Sequence, residues 1–389
     1  MEEWKEYRIG DLGRIVTGKT PKTSVKENYG GNIPFLTPSD DLNSKYAPKT
    51  NKKITTIGLS EVKNCLLPPN SICVSCIGSD LGKVVMLREF SVTNQQFNSI
   101  IPNDDFCPDF IYYLMTIVGK ELNFIGKTST AVPIVNKSSF SNTEVTIPSL
   151  PTQRKIASIL SSLDDKIEVN RRINEQLEEL AQALFDRNFF GNKELNRLPL
   201  GSFANINPTR HLPKQSEARY IEMSNLPTKG AFPMGWSFKA YEGGMKFTNG
   251  DTIMARITPC LENGKTAYIN FLDNEEIAFG STEYIVISAK DKYCSALFYF
   301  LARSKEFVDY AVGHMNGSSG RQRVSGVDIA NFPMPNITIE DSNDFAQVAM
   351  PIMDVIRNNS LEIRNLTHLR DTLLHKLMSG EIDVNEVQI

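Results

Sequence analysis

The feature that most constrains this chain is that it is written twice. LPPNSICVSCIGSDLGKVVML (67–87) lines up with FTNGDTIMARITPCLENGKTAYI (247–269): a turn, an apolar run, a polar loop, Gly-Lys and a second apolar run. Upstream, IPFLTPSDDL (33–42) resembles ARYIEMSNL (218–226). Downstream, TNQQFNSII (93–101) parallels GSTEYIVIS (280–288), PDFIYYLM (108–115) parallels SALFYFLA (295–302), and GKTSTAVPIVNKSSF (126–140) lies beside GSSGRQRVSGVDI (317–329). The displacement stays near 180 to 193 residues. Ordered matches at one displacement mean one supersecondary unit used twice.

Each copy closes on a proline-containing turn and a long helical pattern. Ile156, Ile159, Leu160, Leu163, Ile167, Ile173, Leu177, Leu180 and Leu184 recur at three-four spacing between Pro151 and Phe189, the mark of an amphipathic helix. Pro151 suits its first turn and Gly191 its stop. Val348, Ile352, Ile356, Ile363, Leu366, Leu373 and Leu377 repeat the pattern from about Asp344 to Met378, where Pro351 predicts a kink or a late start. Each apolar stripe needs a second helix to cover it, and the chain supplies one. Asn170 and Asn359 fall near the stripes, as helix-edge residues or as buried register-setters.

The expected architecture is mixed α/β (α+β). Two similar modules, residues 1–150 and 191–340, are separated by helices 151–190 and 341–380 packed as an antiparallel coiled coil, with a tail at 381–389. The two copies should be related by a pseudo-twofold axis.

Hydrophobic content of 41% allows a real core. MEEWKEYRIG lacks a signal peptide's basic start and apolar stretch, and the longest apolar run, FIYYLMTIVG (110–119), is too short for a bilayer. Six irregularly spaced cysteines fit a reducing cytoplasm. The net charge of −3 sits in the helical segments: residues 1–150 and 191–340 each carry 16 Lys+Arg against 15 Asp+Glu. Local basic patches therefore remain open to the modules.

Two motifs look like chemistry. GRIVTGKT (13–20) matches the phosphate-loop pattern letter for letter, yet no buried strand leads into it and PKTSVKENYGG will not sustain the helix such a loop opens. Cys73-Val-Ser-Cys76 has redox or zinc spacing, but no second pair accompanies it and the run is apolar. His211, His314, His368 and His375 form no ligand cluster, and no nucleophile elbow or glycine-rich adenosylmethionine loop appears. No catalytic apparatus is legible.

The motifs TGKTPKT (17–23), IPFLTPSDDL (33–42), ICVSCIGSDLGKVVML (72–87), TNQQFNSI (93–100) and LPTQRKIASILSSLDDKIEVNRRINEQLEELAQALF (150–185) resemble the specificity subunits of type I restriction–modification systems. The likeness runs over essentially the whole chain and includes the duplication, although GSTEYIVIS departs from its first-half counterpart. It implies two target recognition domains, each reading half of a split double-stranded DNA site, with the helices as a ruler. It also implies two methyltransferase subunits that bring S-adenosylmethionine, and restriction subunits that bring ATP and Mg. This chain would bind no cofactor and no membrane, and would supply the address only.

Base edges are read by Arg, Lys, Asn, Gln, Ser and Thr on loops or strands, and phosphates by Lys, Arg and backbone amides. In the first module these are Thr17, Lys19, Thr20 and Lys22; Lys45, Lys49, Lys52 and Lys53 in KYAPKTNKK; Gln95 and Gln96; and Lys127 and Lys137 in the Gly126–Lys137 loop. In the second they are Arg256, Asn263 and Lys265, with Ser318, Arg321, Gln322 and Arg323 in GSSGRQRVS. Gln95 and Gln96 suit a structural hydrogen bond as well as a DNA contact. Two readings of another class stand beside this one: an ATPase built on GRIVTGKT, and a coiled-coil adaptor whose modules bind protein.

Overall fold

The computed structural model describes residues 4–47, 49–78, 80–127, 134–191, 196–290, 292–318 and 320–384. The chain divides into two compact units, Met1–Glu168 with Asn365–Ile389, and Val169–Arg364. Both boundaries fall inside long helices. Each unit therefore holds one strand-rich module and a segment of each helix.

The first unit contains β1 (Lys5–Arg8), β2 (Gly13–Thr17), β3 (Tyr29–Leu36), β4 (Lys52–Ile54), α1 (Thr56–Glu61), β5 (Ile72–Ser75), β6 (Val84–Met86), β7 (Val92–Thr93), β8 (Phe97–Pro102), α2 (Pro108–Lys127), α3 (Lys137–Asn142), β9 (Glu144–Ile147) and the start of α4 (Leu150–Phe185). The second contains β10 (Arg197–Pro199), β11 (Ala204–Ile206), β12 (Glu217–Ile221), β13 (Ser237–Ala240), β14 (Met245–Phe247), β15 (Asp251–Ala255), β16 (Thr266–Tyr268), β17 (Ala278–Gly280), β18 (Tyr284–Ala289), α5 (Ser295–Arg303), α6 (Lys305–Gly313), α7 (Gly326–Ala330), β19 (Pro333–Pro335) and most of α8 (Ile339–Met378).

The sheets repeat. Order β2-β8-β5-β6 in the first unit is matched by β11-β18-β15-β16 in the second, and β4-β3-β7 by β13-β12-β17 with β14 added. The antiparallel pair β1-β9 returns as β10-β19. Registers agree as well: Ser75 faces Phe97 as Ala255 faces Tyr284. The inner strands are largely buried because both faces are covered. Every residue of ICVS in β5 and of DTIMA in β15 is buried, and α2 or α5 lies against that sheet.

Helix α4 follows the expected span and closes in a wider π turn, Asp186–Phe190. Helix α8 begins at Ile339, five residues before the expected Asp344, and passes through Pro351. The early start has a local cause: Thr338 Oγ1 accepts from Asp341 N at 3.0 Å while Asp341 Oδ2 accepts from Thr338 N at 3.1 Å, a reciprocal N-terminal cap.

Within each unit the helix segments run antiparallel. In the second unit Asn170 Nδ2 donates to Glu362 (2.7 Å), Asn359 Nδ2 to Asn174 (2.9 Å), and Phe185 packs on Phe345. In the first, Arg370 donates to Asp164 at 2.7 Å. The seam is more polar than the apolar stripe alone predicts. Asp164 and Asn170 are buried, whereas Ile173, Leu180 and Val348 are exposed. Asn170 is buried and Asn359 half-buried, and both bond across the seam.

Candidate nucleic-acid interface

In both units some of the polar candidates gather where the β5-type strand ends and the β8-type strand begins. In the first, the Thr17 hydroxyl donates to Asn98 Oδ1 (2.7 Å) and the Thr20 hydroxyl to Gln95 Oε1 (2.6 Å). Asn94 Nδ2 donates to Gln96 Oε1 (2.8 Å), and Asn98 Nδ2 to the Val135 carbonyl (3.2 Å). The backbone closes the cluster: Cys76 N donates to Gln96 O, Val135 N to Cys76 O, and Ile77 bridges Ile134. Gln95 and Gln96 therefore serve the fold through one amide atom each and keep the rest of the amide for other partners.

The phosphate-loop resemblance fails on this geometry. Gly18 N donates to the Phe97 carbonyl at 3.1 Å and Lys19 N to the Thr93 carbonyl at 2.9 Å, so amides that would cradle phosphate are already spent. Gly18 is needed for a different reason: a Cβ there would lie 2.1 Å from the Asn94 carbonyl oxygen. No helix follows. Cys73 and Cys76 are buried, burial pushes the Cys73 thiol up to about 12, and no metal-holding group occurs among the described residues.

Some candidates prove internal. Lys45 is 5% exposed, its ammonium bound to Asp109 (2.6 Å) and Ser161 (2.7 Å) and set over the Tyr46, Tyr112 and Tyr113 rings. Such a lysine ties a loop to two helices and is withdrawn from DNA. Lys265 is half-buried with Nζ on the Met223 carbonyl at 2.7 Å, which makes it a loop tether. Lys127 ends α2 and Lys137 begins α3, so the expected Gly126–Lys137 loop is shorter than that span, and its residues 128–133 lie outside the described residues. Lys19, Lys22, Lys49, Lys52, Lys53, Lys127 and Lys137 are exposed. Lys22 N also donates to Glu61 Oε2 at 2.9 Å, a bond that holds the Glu61 carboxyl below its ordinary range.

The second unit builds the same place with different chemistry. Arg256 N donates to Glu283 O and Val324 N to Arg256 O, the places held by Cys76, Gln96 and Val135 in the first unit. Arg323 stands in the position of Ile134, bridged to Ile257 as Ile134 is to Ile77. Its Nε donates to both Glu283 oxygens (3.0 and 2.9 Å), Nη2 to Oε1 (2.7 Å), and Nη1 to the Arg321 carbonyl (3.1 Å). That bidentate pair holds the Glu283 carboxyl below its ordinary range.

The loop carrying these groups is closed by reciprocal 2.9 Å bonds between Asn316 and Arg323, and Gly317 (φ 128°) and Gly320 (φ 78°) supply its left-handed turns. Ser325 and Asp328 cap α7 just beyond it. Ser318, Arg321 and Asn263 are exposed, Gln322 is half-buried, and Thr258 N binds the Gln322 carbonyl at 3.0 Å. The Arg256 Nε is shielded from solvent and has no acceptor among the described residues.

Sequence reasoning missed Glu283. The signal was present: aligning TNQQF with GSTEY puts Glu283 on Gln96.

One module used twice, each copy collecting hydrogen-bonding side chains at the same sheet end, defines a duplicated recognition protein. Residues 1–179 match the family model described as type I restriction modification DNA specificity domain. The chain is similar to the type I restriction enzyme MjaIX specificity subunit of Methanocaldococcus jannaschii, with 28% identity over 99% of this chain and 95% of that protein. It is also similar to the HindI specificity subunit of Haemophilus influenzae, with 36% identity over 44% of this chain and 39% of that protein. The crystal structure of the type I S subunit from M. genitalium shares the fold, with a TM-score of 0.61 at 15% identity over 97% of this chain and 96% of that one. No helix among the described residues is long and apolar enough to cross a membrane.

Proposed function

We propose that this chain is the DNA-reading subunit of a type I restriction–modification complex. Each module reads one half of a split double-stranded site. The chain directs two methyltransferase subunits, and restriction subunits with them, to that site. It performs no catalysis and binds no cofactor itself; S-adenosylmethionine, ATP and Mg belong to its partners, and the complex works in the cytoplasm. The observation that carries this reading is the repeated sheet end, alike in its main backbone bonds and different in side chains. That is how one scaffold reads two sequences. Thr17, Lys19, Thr20, Lys22, Gln95 and Gln96 form one reading surface, and Arg256, Asn263, Ser318, Arg321, Gln322 and Arg323 the other. Lys49, Lys52, Lys53, Lys127 and Lys137 are placed for phosphates.

The test is methylation profiling of the chain assembled with its methyltransferase subunits on randomised duplex DNA. The expected result is two short conserved half-sites separated by unconstrained bases. One contiguous motif, or no motif, would overturn the reading. ATP hydrolysis by the isolated chain, lost in Lys19→Ala, would instead favour the nucleotide-loop alternative.

A further inference from the structure

Among the described residues, the clamp on Arg323 has no equivalent in the first unit. Its acid, Glu283, sits where the first unit has Gln96, and its base sits where the first unit has Ile134. Of the five guanidinium N–H donors, Nε–H and one on Nη2 go to Glu283, and one on Nη1 goes to the Arg321 carbonyl. One N–H remains on each of Nη1 and Nη2. The side chain is 40% exposed, so these two are available while the rest of the group is fixed. A surface arginine ordinarily loses much rotamer freedom on docking; a planar fork held on one edge by a bidentate carboxylate has already lost it.

Two neighbouring N–H donors in one plane match the O6 and N7 acceptors of guanine in the major groove. No other base offers two adjacent acceptors there. Adenine presents N7 beside a donor, and that donor would meet an arginine N–H. A phosphate accepts from arginine too, but it needs no fixed orientation of the guanidinium plane.

Resting on the recognition function above, we propose that Arg323 reads a guanine in the half-site of the second module, and that Glu283 is the positioning residue that sets its plane. The first module, with amides and hydroxyls in the equivalent places, makes no such guanine contact from this position.

The experiment profiles methylation by the assembled complex on duplex pools randomised in both half-sites, for wild type and four variants. Arg323→Ala is expected to lose roughly ten- to hundredfold preference for guanine at one position of one half-site, with the other half-site unchanged. Arg323→Lys should retain part of that preference, because an ammonium donates without the fork. Glu283→Gln should weaken the preference at the same position only. The exchange Glu283→Arg with Arg323→Glu should restore the ion pair and the wild-type urea midpoint without restoring guanine. A merely structural clip would be rescued by that exchange in both readouts.

The proposal is overturned if Arg323→Ala leaves every base preference intact, or if the position it relaxes is not guanine. Uniform weakening on all sequences with a shallower salt dependence would mark a phosphate contact instead and overturn it equally. A wild-type complex that selects no split site sinks the recognition function and the guanine assignment together. A split site unaffected by Arg323→Ala sinks the guanine assignment alone.

Discussion

The two units share a fold and differ in what they place at matching points. At the sheet end, Gln96 and Ile134 in the first unit become Glu283 and Arg323 in the second. Along the helix seam the exchange runs the other way. In the first unit the Tyr113 hydroxyl donates to Asp164 (2.6 Å), which also accepts from Arg370. Shifting by the repeat puts Phe300, Met353 and Ala181 in those places, all buried in one apolar cluster of the second unit. The repeat therefore constrains backbone and volume more tightly than charge. A strand end tolerates any side chain the loop can carry, and a helix seam accepts either an ion pair with its partners satisfied or an apolar filling.

The largest expected effect lies in the apolar version. Phe185 is fully buried against Phe189, Phe190, Phe300 and Phe345. Phe185→Ala should destabilise the second unit by about 3–5 kcal/mol, the usual cost of deleting a core phenyl ring. Urea unfolding followed by site-resolved hydrogen exchange should show the loss in residues 169–364 and sparing of the first unit. An equal loss in both units would mean they unfold as one.

A somewhat smaller effect tests the charged version. Arg370→Ala leaves the Asp164 carboxylate, whose side chain is 5% exposed, with only the Tyr113 hydroxyl. It should cost about 2–4 kcal/mol, discounted for the partial exposure of Arg370. Giving the first unit the second unit's residues, Tyr113→Phe, Asp164→Met and Arg370→Ala together, should return stability to within ~1 kcal/mol of wild type, since replacing a whole buried ionic group by apolar volume is close to neutral. A triple variant as unstable as the single one would break the equivalence of the two seams.

The smallest effect separates the sheet ends by pH. Glu283 is held below its ordinary range by Arg323, so its folded pKa is lower than its unfolded one. Its contribution is then full above the unfolded carboxylate range, ~4.3, and is lost as pH falls through the lower folded value. Because the pair is partly solvated, a few tenths of a kcal/mol is expected. The stability gap between wild type and Glu283→Gln should be open at pH 7 and close on acidification below ~4. Gln96, uncharged at the matching point, can show no such titration. A gap that widens on acidification would contradict the sign.

The placing of the polar loops was legible because they fall between apolar runs whose order repeats. The positions of Arg321, Gln322 and Arg323 follow from that order alone, as does the failure of GRIVTGKT to find a helix. Lys45 was not legible. KYAPKTNKK reads as an exposed basic loop, and nothing within nine residues reveals that Asp109 and Ser161, 64 and 116 positions on, draw that lysine inside. The polar seam was only half visible: Asn170 falls near the apolar stripe, but nothing local marks Asp164, 206 positions before the Arg370 that binds it.

The sequence by itself determined the duplication, the two amphipathic helices and the order of apolar runs and polar loops. These depend on local periodicity and on matching one half of the chain to the other, both written in residue order. Only the tertiary structure decided which charges meet: Arg323 with Glu283, Arg370 with Asp164, Lys45 with Asp109. A side chain's apolar character is its own property, whereas the worth of a charge depends on what lies within a few ångströms of it and how much water is excluded there.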